Sequence, residues 1–432
     1  MAEAMAHSTR PGSSPSPSPA PAEGGDAGEG KPPDHQWNDW RWQFRHRVKN
    51  ARDLARYVNV TPEMEQDIES CSEEFRFAVT PYYLSLIDWS DPNDPIRLQA
   101  IPRAEELEDP VGAWDPLQEE SHSPVKGIVH TYPDRVVFLV TADCAIYCRH
   151  CTRKRFVGKG GKLSAQDVDR AIDYIRRTPA IRDVLLSGGD PLVASDEWLE
   201  SLISRLRAID HVEIIRIGTR MPVTMPQRIT PELCAMLAKY HPIWVNTHFN
   251  HPRELTAEAA AAVDRLLRAG IPVGNQTVLL KGVNDDPRVM RELVHGLLKM
   301  RVRPYYLYQC DLLRGTAHFR TPIEKGLEII EALQGWTTGF ACPTFVVDTP
   351  IGKIPLMPQN LVERGPGYVV LRNYEGKLVR IPNPSPDEAA GPEQAFIPLA
   401  ALAAGETGMP SNGAGSQAAG NGTGAACAGC EG

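Results

Sequence analysis

The chain has 432 residues, 42% of them hydrophobic, and a formal charge of -8, which is enough apolar material for a large α/β core and too acidic a balance for a nucleic-acid binder. No apolar run reaches the ~20 residues needed to cross a bilayer. The nine cysteines are unevenly spaced and form no disulfide framework, which points to a reducing, cytoplasmic setting.

Residues 1–34 are rich in Ser, Pro, Ala and Gly. They lack the basic start and apolar core of a secretory signal and read as a disordered leader. A helical region is expected over 35–125, opening with Trp37, Trp40 and Trp42, a cluster of the kind that marks a buried or interface anchor. Helical periodicity follows at 48–57 and 62–78, the second stretch with Thr61 as N-cap and Pro62 at the first helical position. This region would cover one end of the main domain or contact another subunit.

From residue 135 the chain alternates. Apolar runs at 135–142, 183–186, 212–217, 243–247, 272–279 and 304–310 are each followed by a stretch of helical period, at 165–177, 196–208, 231–240, 257–269, 287–301 and 322–333. Ser164, Ser195, Thr230, Thr256 and Thr321 are the starting signals, and Gly270 is a stop. Six βα units in succession require a parallel sheet with right-handed crossovers. No Gly-x-Gly-x-x-Gly fingerprint follows any strand, which favours a partial six-stranded (β/α) barrel over a doubly wound sheet. The barrel is expected over 126–340, a C-terminal extension over 341–402 and a low-complexity tail over 403–432. In that tail Cys427 and Cys430 read as a flexible thiol pair rather than a metal site.

Chemistry in such barrels gathers where the strands end, and the polar residues obey that rule. The first strand delivers Cys144, Cys148 and Cys151. A four-iron cluster usually takes four cysteines, so three leave one iron open to a substrate or cofactor. With His150 the same cysteines could make a structural Cys3His zinc site, or they could be inert buried thiols. The basic residues Arg149, Arg153, Lys154 and Arg155 read as a solvated face or a basic patch. After the second strand come Gly188, Gly189 and Asp190, by themselves only a tight turn. His248 ends the fourth strand and Gln276 lies on the fifth; such a histidine is more often a hydrogen-bonded core residue than a ligand. Asp311 follows the sixth strand, and Asp348 and Lys353 lie beyond it.

The spacing of three and then two residues between the cysteines resembles the signature of radical S-adenosylmethionine enzymes. Over residues 35–384 the chain resembles the lysine 2,3-aminomutase family. The resemblance rests on Trp-Asn-Asp-Trp-Arg-Trp-Gln at 37–43, the cysteine motif, Asp-Val-Leu-Leu-Ser-Gly-Gly-Asp at 183–190, Asn-Thr-His-Phe-Asn-His-Pro at 246–252 and Pro-Thr-Phe-Val-Val-Asp at 343–348. It implies an isomerase that moves an amino group between the α and β carbons of lysine with a [4Fe-4S] cluster, S-adenosylmethionine and pyridoxal phosphate.

The same resemblance puts the cluster on Cys144, Cys148 and Cys151 and the cofactor's methionine end near Gly188, Gly189, Asp190, His248 and Gln276. It places the pyridoxal aldehyde on Lys353, with Tyr132 and Arg135 at the phosphate. Arg153 would take the substrate carboxylate, and Asp311 with Asp348 its distal ammonium. It further implies an external electron donor such as flavodoxin or ferredoxin and a homo-oligomer, with no nucleic-acid or membrane partner. A lysine that carries pyridoxal must be available uncharged, which few nearby charges and little water would promote.

Three departures from the family stand out. Only Thr349–Gly352 separates Asp348 from Lys353, Thr131 stands where a second phosphate-binding arginine is expected, and Asp286 stands where the family has a zinc-binding cysteine, so no zinc is expected. An arginine 2,3-aminomutase or a protein-lysine aminomutase is the nearest alternative; a glutamate enzyme would want a cation or a neutral group in place of the two aspartates. An iron-sulfur electron carrier or a zinc scaffold is the alternative from another class.

Overall fold

In the computed structural model, which describes residues 32–383 and the strand Ile397–Pro398, the alternating stretch becomes one nine-stranded sheet in sequence order. Its strands are β1 (Ile128–Tyr132), β2 (Arg135–Thr141), β3 (Asp183–Gly188), β4 (Ile214–Gly218), β5 (Ile243–Thr247), β6 (Val273–Val278), β7 (Arg303–Tyr308), β8 (Thr344–Thr349) and β9 (Gly352–Pro355). Strands β2 to β8 are parallel throughout, and β1 and β9 close the two edges antiparallel. The partial (β/α) barrel is therefore present, with seven parallel strands where six are expected. The seventh, β8, escapes a count of βα units because no helix follows it; it turns straight back as a hairpin into β9. The sheet edges also touch, since the Lys353 backbone N–H donates to the Tyr132 hydroxyl at 2.6 Å.

Six helices follow strands β2 to β7: α1 (Ala165–Arg176), α2 (Asp196–Arg207), α3 (Pro231–Ala238), α4 (Ala257–Arg268), α5 (Pro287–Lys299) and α6 (Ile323–Leu333). Their apolar faces make them pack. In α1 the buried residues Val168, Ala171, Ile172 and Ile175 recur at helical spacing on one stripe. The hydroxyls of Ser164, Ser195, Thr230 and Thr256 each accept a backbone N–H of the first turn, a contribution of about 1 kcal/mol per helix. Gly270, with φ +76°, ends α4 in the left-handed region. Thr321 departs from expectation: Pro322 holds the N-cap position of α6 without a side-chain bond, and the Thr321 hydroxyl is buried and unpartnered.

The N-terminal region is helical but more broken than its periodicity suggests. The stretch at 48–57 shortens to Ala51–Leu54, and the one at 62–78 ends at Glu74. Thr61 does cap it, but Phe75 is extended (φ -120°, ψ 121°) and Val79 bridges back to Val48. Phe75, Phe77, Ala78 and Val79 are all buried, and no one helix face could bury four apolar residues among five consecutive positions. Arg228 lies over the Trp40 ring at 4.6 Å, so the tryptophan cluster anchors this region to the barrel.

After the barrel, strands β10 (Leu361–Gly365), β11 (Tyr368–Arg372) and β12 (Leu378–Pro382) form a small antiparallel sheet with Ile397–Pro398. Up to residue 31 the expected leader lies outside the described residues, as do the tail at 403–432 and its Cys427 and Cys430. Asp34 already opens a helical turn, Asp34–Trp37. Among the described residues no helix is long and apolar enough to cross a membrane.

Candidate active site

The barrel strands surround a cavity of about 1010 Å³, lined by Cys144, Cys148 and Cys151 from the loop after β2 and by Asp348 and Lys353 from the β8–β9 hairpin. Its size suits more than one small molecule, since ordinary ligand pockets run to roughly 1,000 Å³.

The cysteine loop leaves β2 and is tied down by backbone bonds from outside itself. Tyr147 N–H donates to Ala78 at 2.9 Å and Arg149 N–H to Gln99 at 2.9 Å, both in the N-terminal region. From β3 the Gly189 and Asp190 amides reach Thr141 and Asp143 at 2.6 and 2.8 Å. The Gly-Gly pair is needed for this approach. A Cβ on Gly188 would lie 2.3 Å from the Thr141 carbonyl, one on Gly189 2.3 Å from the Asp143 carbonyl, and Gly188 has φ +118°.

Burial and the neighbouring sulfurs push the Cys144 thiol well up and the Cys151 thiol to about 11. Among the described residues no three His, Cys, Asp or Glu side chains converge where a single ion would sit. His150 turns instead to Asn250, at 3.3 Å, and burial first, then Arg220, keeps its imidazole well below the usual range and neutral. Three cysteines on one loop that faces a large cavity suit a multi-iron cluster in which each sulfur takes its own iron.

The basic residues of the loop are not a solvated face. The Glu106 carboxylate receives Arg149 at 2.8 and 2.6 Å and Lys154 at 2.7 Å, with all three side chains buried. Burial alone would raise the Glu106 carboxyl; Arg149 and Lys154 outweigh it and bring the group down to about 2. Arg153 and Arg155 converge on Glu119, Arg153 at 2.7 and 3.1 Å and Arg155 at 3.2 Å. Glu106 and Glu119 come from an acid-rich stretch without periodicity, and its complementarity to the basic loop was the available signal.

Of the residues expected at the methionine end of the cofactor, all five line the cavity. Asp190, however, has both carboxylate oxygens engaged, by the Thr219 hydroxyl at 2.8 Å and the backbone amides of Leu192 and Arg220 at 3.0 and 2.8 Å. It braces the turn rather than offering a free acid. Burial pushes it up to about 6 against those bonds. His248 is pushed down to about 4 by burial and by Arg220, so it is neutral near pH 7.

At the far end the hairpin sets Asp348 directly opposite Lys353, with Thr349 opposite Gly352 and a turn at Pro350 and Ile351. The short connection before the lysine is thus a tight hairpin, in which the Thr349 hydroxyl reaches the Gly352 carbonyl at 2.7 Å. Lys353 Nζ lies 2.5 Å from Asp348 Oδ1 and 4.2 Å from the centre of the Tyr308 ring. The expectation of few nearby charges is overturned. Burial would lower the ammonium, but Asp348 and Tyr308 hold it above the ordinary lysine range. A pairing across a hairpin is invisible until its register is known. Asp311 lines the same space, and burial, then Asp348, pushes it well above the usual carboxylate range.

Tyr132 and Arg135 also face the cavity, the guanidinium 3.8 Å above the ring. Arg216, which the sequence reading passed over as a strand residue, joins them there, paired with Asp183 at 2.8 Å. Thr131 lies on the same wall. Arg153 is clamped by Glu119 on one edge, while its Nη1 lies 3.4 Å from the Ser187 hydroxyl. The geometry thus gathers a cation, two aspartates and a lysine around one cavity beside three thiols. Asp286, in contrast, caps α5 and pairs with Arg288 at 2.6 Å.

Comparison with known proteins agrees with this layout. A family model described as the radical SAM superfamily matches residues 138–294, and one described as lysine-2,3-aminomutase matches residues 330–408. The chain is 56% identical over 355 residues to the L-lysine 2,3-aminomutase of Clostridium subterminale, covering 81% of this chain and 85% of that one. It is also 56% identical over 355 residues to the L-lysine 2,3-aminomutase of Fusobacterium nucleatum, at 81% and 84% coverage. The glutamate 2,3-aminomutase of Clostridioides difficile is 48% identical over 351 residues, at 81% and 83%.

Proposed function

The chain belongs to the lysine 2,3-aminomutase family, and from that premise we propose that it interconverts L-lysine and L-β-lysine by moving the amino group between carbons 2 and 3. It is an isomerase that works with S-adenosylmethionine, a [4Fe-4S] cluster and pyridoxal phosphate. Held by Cys144, Cys148 and Cys151, the cluster would with S-adenosylmethionine supply radical chemistry, and pyridoxal phosphate on Lys353 would supply a carrier for the amino group.

The choice of lysine is carried by one observation. Asp311 and Asp348 line the same cavity and each feels the other's charge, while the one ammonium beside them, that of Lys353, is paired to Asp348. Two carboxylates at one point favour a second positive charge and disfavour the distal carboxylate of glutamate.

The roles of the remaining residues follow. Asp348 Oδ1, 2.5 Å from Nζ, fixes the Lys353 side chain in the cavity and keeps its ammonium charged in the free chain. Arg153, oriented by Glu119, presents Nη1 to the substrate carboxylate. Arg135 and Tyr132 face the cofactor phosphate beside Lys353. Cys144, Cys148 and Cys151 hold the cluster, and Gly188, Gly189, His248 and Gln276 line the space for the methionine end.

The enzyme takes its electron from a flavodoxin- or ferredoxin-type donor and works as a homo-oligomer. A cytoplasmic setting is supported by the seven described cysteines, all of which are free thiols. The test is anaerobic incubation of the reconstituted enzyme with reductant, S-adenosylmethionine and lysine, arginine or glutamate in parallel. β-Lysine should be the main product. A higher kcat/KM for arginine or glutamate would overturn the assignment.

A further inference from the structure

Arg220 follows β4 and is buried, 8% exposed, although it belongs to neither the cysteine motif nor the substrate clamp. Its guanidinium is fixed on every side. Nε donates to the His248 carbonyl at 3.1 Å. Nη2 meets the Gln99 side-chain oxygen at 2.6 Å, Glu254 Oε1 at 2.7 Å and the Tyr83 hydroxyl at 3.2 Å. The remaining arm, Nη1, donates to Cys148 Sγ at 2.9 Å.

The partners are themselves rigid. Tyr83 donates its hydroxyl to Glu254 at 2.7 Å, and the other oxygen of Glu254 takes the backbone amides of Asn250 and His251 at 2.5 and 3.0 Å. The Arg220 amide is held by Asp190 at 2.8 Å. Glu254 is 0% exposed, so the ion pair is cut off from water and cannot relax around a change of charge at the sulfur.

We propose that Arg220 is a positioning residue that raises the reduction potential of the cluster through its hydrogen bond to Cys148. This rests on the assignment of Cys144, Cys148 and Cys151 as cluster ligands. The reduced cluster carries one more negative charge than the oxidised one, spread over its irons and sulfurs. A fixed cation bonded to one of those sulfurs favours the reduced form, which is how hydrogen bonds to the sulfurs and partners behind the ligands tune such centres. Tyr83 and Gln99 come from the N-terminal region, so that region acts on the cluster through Arg220 besides covering the loop.

The test is a redox titration of the reconstituted cluster without S-adenosylmethionine, followed by electron paramagnetic resonance, with iron and sulfide counted in each sample. Arg220→Gln leaves Glu254 unpaired, so the double variant Arg220→Gln, Glu254→Gln, which removes the whole buried pair, is measured with it. Arg220→Lys keeps the charge. At a fixed potential the reduced-to-oxidised ratio should fall about tenfold in the glutamine variants, which is about 59 mV for a one-electron couple. The lysine variant should recover part of it. Full iron and sulfide with the wild-type potential in both glutamine variants would overturn the role of Arg220. A wild-type protein that holds no cluster would instead overturn the cysteine assignment itself.

Discussion

The two ends of the cavity handle buried charge in opposite ways. Around the cysteine loop three buried cations have permanent partners from distant segments: Arg149 and Lys154 on Glu106, Arg220 on Glu254. At the hairpin end the partners are five residues apart, Asp348 and Lys353, with Asp311 beside them and pushed toward its neutral form. The first end is complete before any ligand arrives. The second is left one cation short of satisfying two carboxylates, and that deficit is what a dibasic amino acid supplies. A rigid cradle suits a redox centre whose environment should not change, and an exchangeable one suits a site that must admit a second cation.

Substitutions at each end should therefore fail differently. Lys353→Ala has the largest expected effect. Turnover and borohydride-fixed pyridoxal should both be lost, while iron and sulfide content stays at the wild-type level because no partner of the cysteine loop is touched. Iron loss in this variant would mean that the two ends are not independent.

Glu106→Gln attacks the other end. It strands Arg149 and Lys154 in the interior, and breaking a buried pair in this way costs about 3–5 kcal/mol of stability, measurable by denaturant unfolding. pH sharpens the point. Glu106 is held at about 2 when folded, below its value of ~4.3 in an unfolded chain. Its contribution is thus complete above that value and lost as pH falls toward 2. The stability gap between wild type and Glu106→Gln should accordingly be widest near neutrality and close across that acid window. A gap that does not change with pH would contradict the ionised partner assumed for Arg149 and Lys154.

The same contrast explains what the sequence could and could not reveal. Helices α1 to α4 announce themselves by caps and stripes, and the six βα strands by their apolar runs, because both are local patterns. The cysteine spacing is local too. Glu106 lies 43 residues from Arg149 and Glu254 lies 34 from Arg220, and no periodicity links such pairs, so the permanent partners of the loop stayed hidden until the chain folded. The Asp348 and Lys353 pair is close in sequence yet was missed for another reason: facing residues in a hairpin are set by its register, and a turn of unknown length leaves that open. β8 was missed because it ends the barrel without a helix. The bonds of Asp190 to Thr219 and Arg220 were hidden in the same way, because a carboxylate at a strand end looks the same in sequence whatever it bonds.

The central claim is that the acidic pair reads the distal charge of the substrate, and the most direct measurement is the ratio of kcat/KM for lysine to that for glutamate in the wild type and in Asp311→Asn. Loss of a charge-assisted contact of about 1.5–3 kcal/mol should raise the KM for lysine at least tenfold and narrow the ratio by a similar factor, with the cluster intact. A ratio that Asp311→Asn leaves unchanged would show that the distal charge is read elsewhere in the cavity.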